Sequence, residues 1–350
     1  MLAEIRQQPA ALAKTLAAEL RATERLKKFL ETRRPKFIVL AARGTSDNAA
    51  QFGRYLLEIA TGIPVSLAAP SIHTLYGASP DFKDALVVAI SQSGESTDTN
   101  LVLEKARAQG AFTIGITNEA NSSLAKLAEH VFLVRAGREK SVAATKTYTG
   151  QLLAIYMIAY ALGAPIALDE LRQVPDWTAK ALSLDDDIKI RAERYRFMDH
   201  AVVVGRGLNY SNAFEFALKL METCYVVAER FSSADLMHGP IAMVGPSFPS
   251  FLFAPAGVTW PSMKEMMEKL RSLGAESLVI TDQSNAEAQK LATRAIVIPA
   301  SLQRKGAAPA ELFTPIPYIV PAQLFAAHLA VIKGLNPDQP RTLSKVTKTM

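Results

Sequence analysis

The 350-residue chain contains a single cysteine, Cys224. One thiol can form no internal disulfide and no multi-cysteine metal centre, a usage that fits a reducing compartment. Long apolar runs are also missing. The longest, Leu152 to Leu162, includes Tyr156 and Tyr160 and is much shorter than the ~20 residues a bilayer-spanning helix needs. No membrane association is expected. Residues 1–50 lack a basic segment followed by an apolar stretch and a small-residue cleavage site, and begin instead with an amphipathic pattern carrying Glu4, Arg6 and Lys14, so a cytoplasmic location is expected. Blocks of one charge are absent as well. The 39 Lys and Arg lie interspersed with 33 Asp and Glu, giving a net charge of +6 without the basic, aromatic-interleaved stripe that nucleic-acid binders carry. Neither a Gly-x-Gly-x-x-Gly fingerprint nor a Walker lysine occurs, which disfavours nucleotides. No metal site and no cofactor are expected.

What is present points to two α/β domains. The length exceeds one ordinary core, and the 49% hydrophobic content can fill two. After a helical segment reaching Arg34, short apolar runs of strand length recur near Phe37–Ala42, Pro64–Ala68, Ala85–Ser91, Phe112–Thr117 and His130–Arg135, with helical stretches between most of them. That alternation predicts a parallel, doubly wound sheet. A long apolar helix over Thr145–Leu162 closes the first half, and the acid-rich stretch with Pro175 reads as a linker. The pattern then restarts at Ala201-Val-Val-Val-Gly-Arg-Gly. A helix near Met263–Leu273 and strands at Ser250–Ala254, Leu278–Thr281 and Ala295–Pro299 follow. The repeat marks a duplicated domain. The predicted boundaries are an N-terminal helix over 1–35, a first domain over 36–165, a linker over 166–190, a second domain over 191–335 and a tail over 336–350. Ile319–Ile332 is expected as an amphipathic helix with Pro321 in its first turn. The polar tail, without apolar period, is expected to be disordered.

Two strand ends carry hydroxyls and glycine: Arg43-Gly-Thr45-Ser46, and Ser91-Gln92-Ser93-Gly-Glu-Ser96. The carboxyl edge of an open α/β sheet is where ligands bind, and hydroxyls at a helix N-terminus suit a phosphate. Helix capping explains one such motif, but the second has more polar donors than a cap requires. In the second half, Glu215, Lys219 and Glu222 stand at i, i+4 and i+7, on one face of a helix whose other residues are mostly apolar. Such spacing also occurs in solvated ion-pair ladders. With little polar surface around it, the trio suits proton transfer. His238 precedes a Gly-Pro turn, and Cys224 among Tyr225, Val226 and Val227 reads as a small buried hydrophobe.

Together with Ala143-Ala-Thr-Lys-Thr-Tyr-Thr, His238-Gly-Pro and Asp338-Gln-Pro-Arg-Thr-Leu-Ser-Lys345, these segments resemble, in order and over nearly the whole chain, the sugar isomerase (SIS) family. Within it the likeness is to the isomerase half of glucosamine-6-phosphate synthase and to stand-alone glucosamine-6-phosphate deaminases. The resemblance implies two tandem flavodoxin-like SIS domains and a homodimer that interconverts aldose and ketose forms of an amino-sugar 6-phosphate. Thr45, Ser46, Ser91, Gln92, Ser93 and Ser96 would hold the phosphate, and Val142 and Ala143 the sugar. Glu222 would move the proton between C1 and C2, with Lys219 beside O1 and Glu215 on the same face. His238, of the same or the neighbouring subunit, would open the ring, and Lys345 would form the imine with the open-chain ketose. Met237 stands where the synthase has lysine, Ala144 replaces a serine and Ser96 a threonine. No glutaminase nucleophile is expected, since Leu2 follows Met1. A deglycase or isomerase for another substituted sugar phosphate, or a sugar-phosphate-sensing module, would share the same phosphate loops.

Overall fold

A computed structural model of the chain describes residues 1–304, 309–343 and 345. It divides into two compact units. One comprises Gln7–Glu139, Ala144–Gln173 and Leu343–Met350, and the other Met1–Arg6, Lys140–Ala143 and Val174–Thr342.

The first unit is built on strands β1 (Phe37–Ala41), β2 (Val65–Leu67), β3 (Ala85–Ile90), β4 (Phe112–Thr117) and β5 (His130–Leu133). All pair in parallel, in the order β2-β1-β3-β4-β5. β3 is buried along its whole length, as a central strand covered on both faces must be. The helix Lys146–Ala161 buries fifteen of its sixteen residues and packs on the long helix Gln8–Thr32 and on Thr45–Thr61. Arg6 and Gln7 separate Gln8–Thr32 from a short turn of helix at Leu2–Ile5, and Pro9 lies in the first turn of the longer one, where a missing N–H costs nothing.

The second unit repeats the plan with β6 (His200–Val204), β7 (Val227–Phe231), β8 (Pro249–Phe253), β9 (Glu276–Asp282) and β10 (Arg294–Ile298). Its order, β10-β9-β8-β6-β7, is the first order read from the other edge. The expected fold class, tandem doubly wound α/β domains with parallel sheets, is the one observed.

Four local expectations are corrected. The stretch 166–190 is largely helical, with helices at Leu168–Leu171, Val174–Leu182 and Asp185–Ala192, the last two packed against Pro315–Ile332. That final helix starts at Pro315 rather than near Ile319 and is buried on every side instead of amphipathic. Among the described residues it is the one helix long and apolar enough to cross a membrane, and 89% of it is buried inside the protein, the position of a core helix. The edge strand β7 has no counterpart in the sequence reading. Finally, part of the tail expected to be disordered is held in place: the Asp338 carbonyl accepts the Val142 N–H at 3.1 Å, and Arg341 lies over the Tyr225 ring, 4.2 Å from its centroid, while its N–H donates to the Tyr225 hydroxyl at 2.9 Å. Of the tail, residues 344 and 346–350 lie outside the described residues.

Candidate functional site

In the first unit the strand order reverses between β1 and β3, and the two hydroxyl-rich segments follow these neighbouring strands. This is the switch point at which open α/β sheets bind ligands. Ser46 lies in the first turn of Thr45–Thr61, behind Gly44, whose φ of 57° is the left-handed backbone that glycine supplies cheaply. Ser46 is buried, and the fully buried Gln151 donates from Nε2 to its Oγ at 2.9 Å. A serine oxygen that accepts in this way keeps its own proton for another acceptor.

The loop 91–96 leads from β3 into the helix Thr97–Ala108. Ser91 Oγ accepts the Gly94 N–H at 3.1 Å, and Ser93 Oγ the Glu95 N–H at 3.3 Å. Ser96 stands at the N-cap position of the helix, with its hydroxyl 3.0 Å from that of Thr99. Gln92 is half-buried, and its carbonyl accepts the Thr117 hydroxyl at 3.3 Å. Arg43 bridges the two segments through Asp98, at 2.7 Å from Nη2 and 3.2 Å from Nε. Glu95, the one acid in the loop, turns to Ser123, taking its hydroxyl at 2.7 Å and its N–H at 2.9 Å. Those hydrogen bonds hold its carboxyl below the usual range.

Lys345 belongs to this unit. Its Nζ lies 3.0 Å from Oε2 of Glu139, a carboxylate with no exposed side-chain surface. Glu139 also accepts the Thr145 N–H at 2.9 Å and the Thr147 hydroxyl at 2.7 Å. Burial pushes its pKa upward, but the Lys345 ammonium and these donors outweigh that and leave it below the ordinary value.

In the second unit Lys219 projects from the helix Tyr210–Cys224, fully buried between two carboxylates one helical turn away on either side: Glu222 Oε2 at 2.5 Å and Glu215 Oε1 at 3.4 Å. The i, i+4 and i+7 spacing therefore yields one connected cluster. Burial alone would drive the ammonium toward neutrality, yet Glu215 and Glu222 raise its pKa above the ordinary lysine value. The pairing contributes its full stability below the ordinary value and loses it only as pH rises through the higher folded one. Glu215 has no exposed side-chain surface, whereas Glu222 keeps 23%. The trio thus presents one carboxylate to the outside, backed by a fixed cation. Lys219→Met leaves Glu215 buried without its counter-charge and is expected to cost about 3–5 kcal/mol, read from a denaturant titration. A variant as stable as the parent would mean that the cluster is not electrostatically coupled.

His238 is exposed at the C-terminal end of Ser233–Met237. Ala143 is buried and Val142 half-buried. Cys224 is fully buried, its Sγ donating to the Ala326 carbonyl at 3.2 Å, and burial pushes its thiol up to about 11; it remains a core residue. Sequence reasoning did not single out Gln151 or Glu139, whose partners are 105 and 206 positions away; no local signal marks either.

The SIS-domain family profile matches residues 32–161 and 196–333. The glutamine–fructose-6-phosphate aminotransferase (isomerizing) of Methanothermobacter thermautotrophicus is 35% identical over 345 residues, covering 99% of this chain and 56% of that protein. The chain thus spans about half the length of the relatives it matches. The C-terminal domain of glucosamine-fructose-6-phosphate aminotransferase from Francisella tularensis superposes with a TM-score of 0.86 at 30% identity, covering 97% of this chain and 98% of that one. Glucosamine-6-phosphate deaminase from Thermotoga maritima shares the fold, with a TM-score of 0.72 at 22% identity over 97% of this chain and all of the other.

Proposed function

The chain belongs to the SIS-domain family, and from that membership we propose that it is a phosphosugar isomerase acting on amino-sugar 6-phosphates, converting glucosamine 6-phosphate and water to fructose 6-phosphate and ammonia. The observation that carries the reading is the Lys219 cluster, in which a buried ammonium is locked between two carboxylates and only Glu222 is partly open.

In the proposed reaction His238 assists opening of the sugar ring. Glu222 takes the proton from C2 of the open-chain aldose and returns it to C1. The C2–H electrons form a C1=C2 enaminol, and as C1 takes the proton a proton from the substrate nitrogen passes to O1, giving a ketimine at C2. Lys219 is held protonated, so its part is to stabilise negative charge developing at O1 rather than to attack carbon. Lys345, as the free amine, adds to that ketimine and displaces its nitrogen as ammonia, and water then hydrolyses the Lys345 imine to the C2 ketone and frees the amine. Thr45, Ser46, Ser91, Gln92, Ser93 and Ser96 hold the 6-phosphate, and Val142 and Ala143 contact the sugar. These roles need no cofactor. We propose further that the chain acts as a homodimer, which light scattering on the purified chain tests.

The phosphate part has its own test. Glucosamine 6-phosphate is expected to bind far more tightly than glucosamine in calorimetry, and Ser93→Ala to raise KM about tenfold to a hundredfold, the effect of one lost charge-assisted hydrogen bond. Equal affinity for the two sugars would end the phosphate-loop reading.

A further inference from the structure

The two sheets can be compared loop by loop. In the first, the loop after β3, Ser91-Gln-Ser-Gly-Glu-Ser96, enters the helix Thr97–Ala108. In the second, β6 and β8 flank the same reversal of strand order, and Ala254-Pro-Ala-Gly-Val-Thr259 runs from β8 into the thirteen-residue helix Trp260–Ser272. Both loops have six residues, with glycine fourth, at φ 67° for Gly94 and 149° for Gly257. Each ends in a hydroxyl residue at the helix N-cap, Ser96 or Thr259. Each is braced by a threonine of the adjoining strand: Thr117 donates to the Gln92 carbonyl at 3.3 Å, and Thr281 to that of Ala254 at 2.7 Å.

The loops differ in what they hold. Ala254, Pro255 and Ala256 replace the polar Ser91, Gln92 and Ser93. In compensation, the second loop carries a carboxylate from elsewhere in the chain. Glu311, 2% exposed, accepts the Val258 N–H, the Thr259 N–H and the Thr259 hydroxyl, each at 3.2 Å. A Cβ on Gly257 would collide with this carboxylate. Backbone N–H groups and a hydroxyl at a helix N-terminus are the donors a phosphate oxygen seeks, and here an anion that is part of the protein already uses them. The corresponding acid before the helix Lys146–Ala161, Glu139, turns instead to Thr145, Thr147 and Lys345.

We propose that Glu311 is the built-in anion of the second domain, occupying with the chain's own carboxylate the place that the first domain offers to a substrate phosphate, so that two copies of one loop take up a single phosphate ester. The count of one rests on the phosphate-loop reading above, whereas the role of Glu311 as internal anion does not.

Two measurements on the full chain separate these claims. In the first, Glu311→Ala, Glu311→Gln and the parent are melted in about 50 mM sodium formate and in equal sodium chloride. Formate is expected to raise the midpoint of Glu311→Ala by about 2–4 °C and to leave the other two unchanged. If Glu311→Ala does not stay folded, its refolding yield in formate against chloride gives the same comparison. No preference of Glu311→Ala for formate overturns the internal-anion role. In the second, the parent is titrated with fructose 6-phosphate, and one site per chain is expected. Two sites overturn the proposal. No site at all overturns the phosphate-loop reading and leaves the formate result standing.

Discussion

Glu222→Gln is expected to bind glucosamine 6-phosphate as the parent does and to slow exchange of its C2 proton by about 10²–10⁴-fold, the usual contribution of a positioned base. The substitution keeps the shape of the side chain, removes its ability to accept a proton, and leaves Lys219 its second carboxylate, Glu215. Glu222 is singled out from Glu215 by access, because the two carboxylates flank the same buried ammonium but only Glu222 keeps exposed surface, at 23% against none. Deuterium incorporation at C2, followed by NMR, separates chemistry from binding, which calorimetry reads independently. Exchange at the parent rate in Glu222→Gln would remove this residue from the base role. Glu215→Gln, by contrast, should show its main effect on stability, because it loosens a charge that never meets solvent.

Lys345→Met is expected to abolish the covalent adduct that borohydride traps on the chain in the presence of fructose 6-phosphate, located by peptide mass spectrometry, and to stop turnover with it. Imine formation requires a neutral amine, whereas Lys345 stands as the partner of the buried Glu139 carboxylate at 3.0 Å. To react, it must therefore leave that pairing and shed a proton. The point substitution is a cleaner test than cutting the tail after Leu335. Such a cut would also remove Asp338, whose carbonyl takes the Val142 N–H, and Arg341, which is seated on Tyr225. An adduct that persists in Lys345→Met would assign the amine to another lysine. Lys219 is the poorer candidate because its two carboxylates hold it protonated.

The fold was legible where the signal is local. Apolar runs of strand length marked nine of the ten strands, because a buried parallel strand must be apolar along its length. β7 escaped because it is an edge strand in which Glu229 and Arg230 are consecutive and exposed. Pro315–Ile332 is not amphipathic: even its polar Gln323 and His328 are buried, within a helix covered on all sides. The stretch 166–190 looked like a linker because its acids are many, yet Asp185, Asp186 and Asp187 fall in the first turn of a helix, where negative charge is favoured. Among the candidate residues, the Glu215, Lys219 and Glu222 cluster followed from helix spacing alone. The contacts of Ser46 with Gln151 and of Lys345 with Glu139 did not, since each joins residues more than a hundred positions apart and depends on the finished packing.

The most direct measurement of the central claim is incubation of the purified chain with glucosamine 6-phosphate, with ammonia and fructose 6-phosphate assayed together. The account predicts that both appear in equal amounts, without added metal or nucleotide, and that neither forms from glucosamine. Contradiction would be a chain that binds the sugar phosphate yet releases neither product and exchanges no C2 proton, the behaviour of a sensor rather than an isomerase.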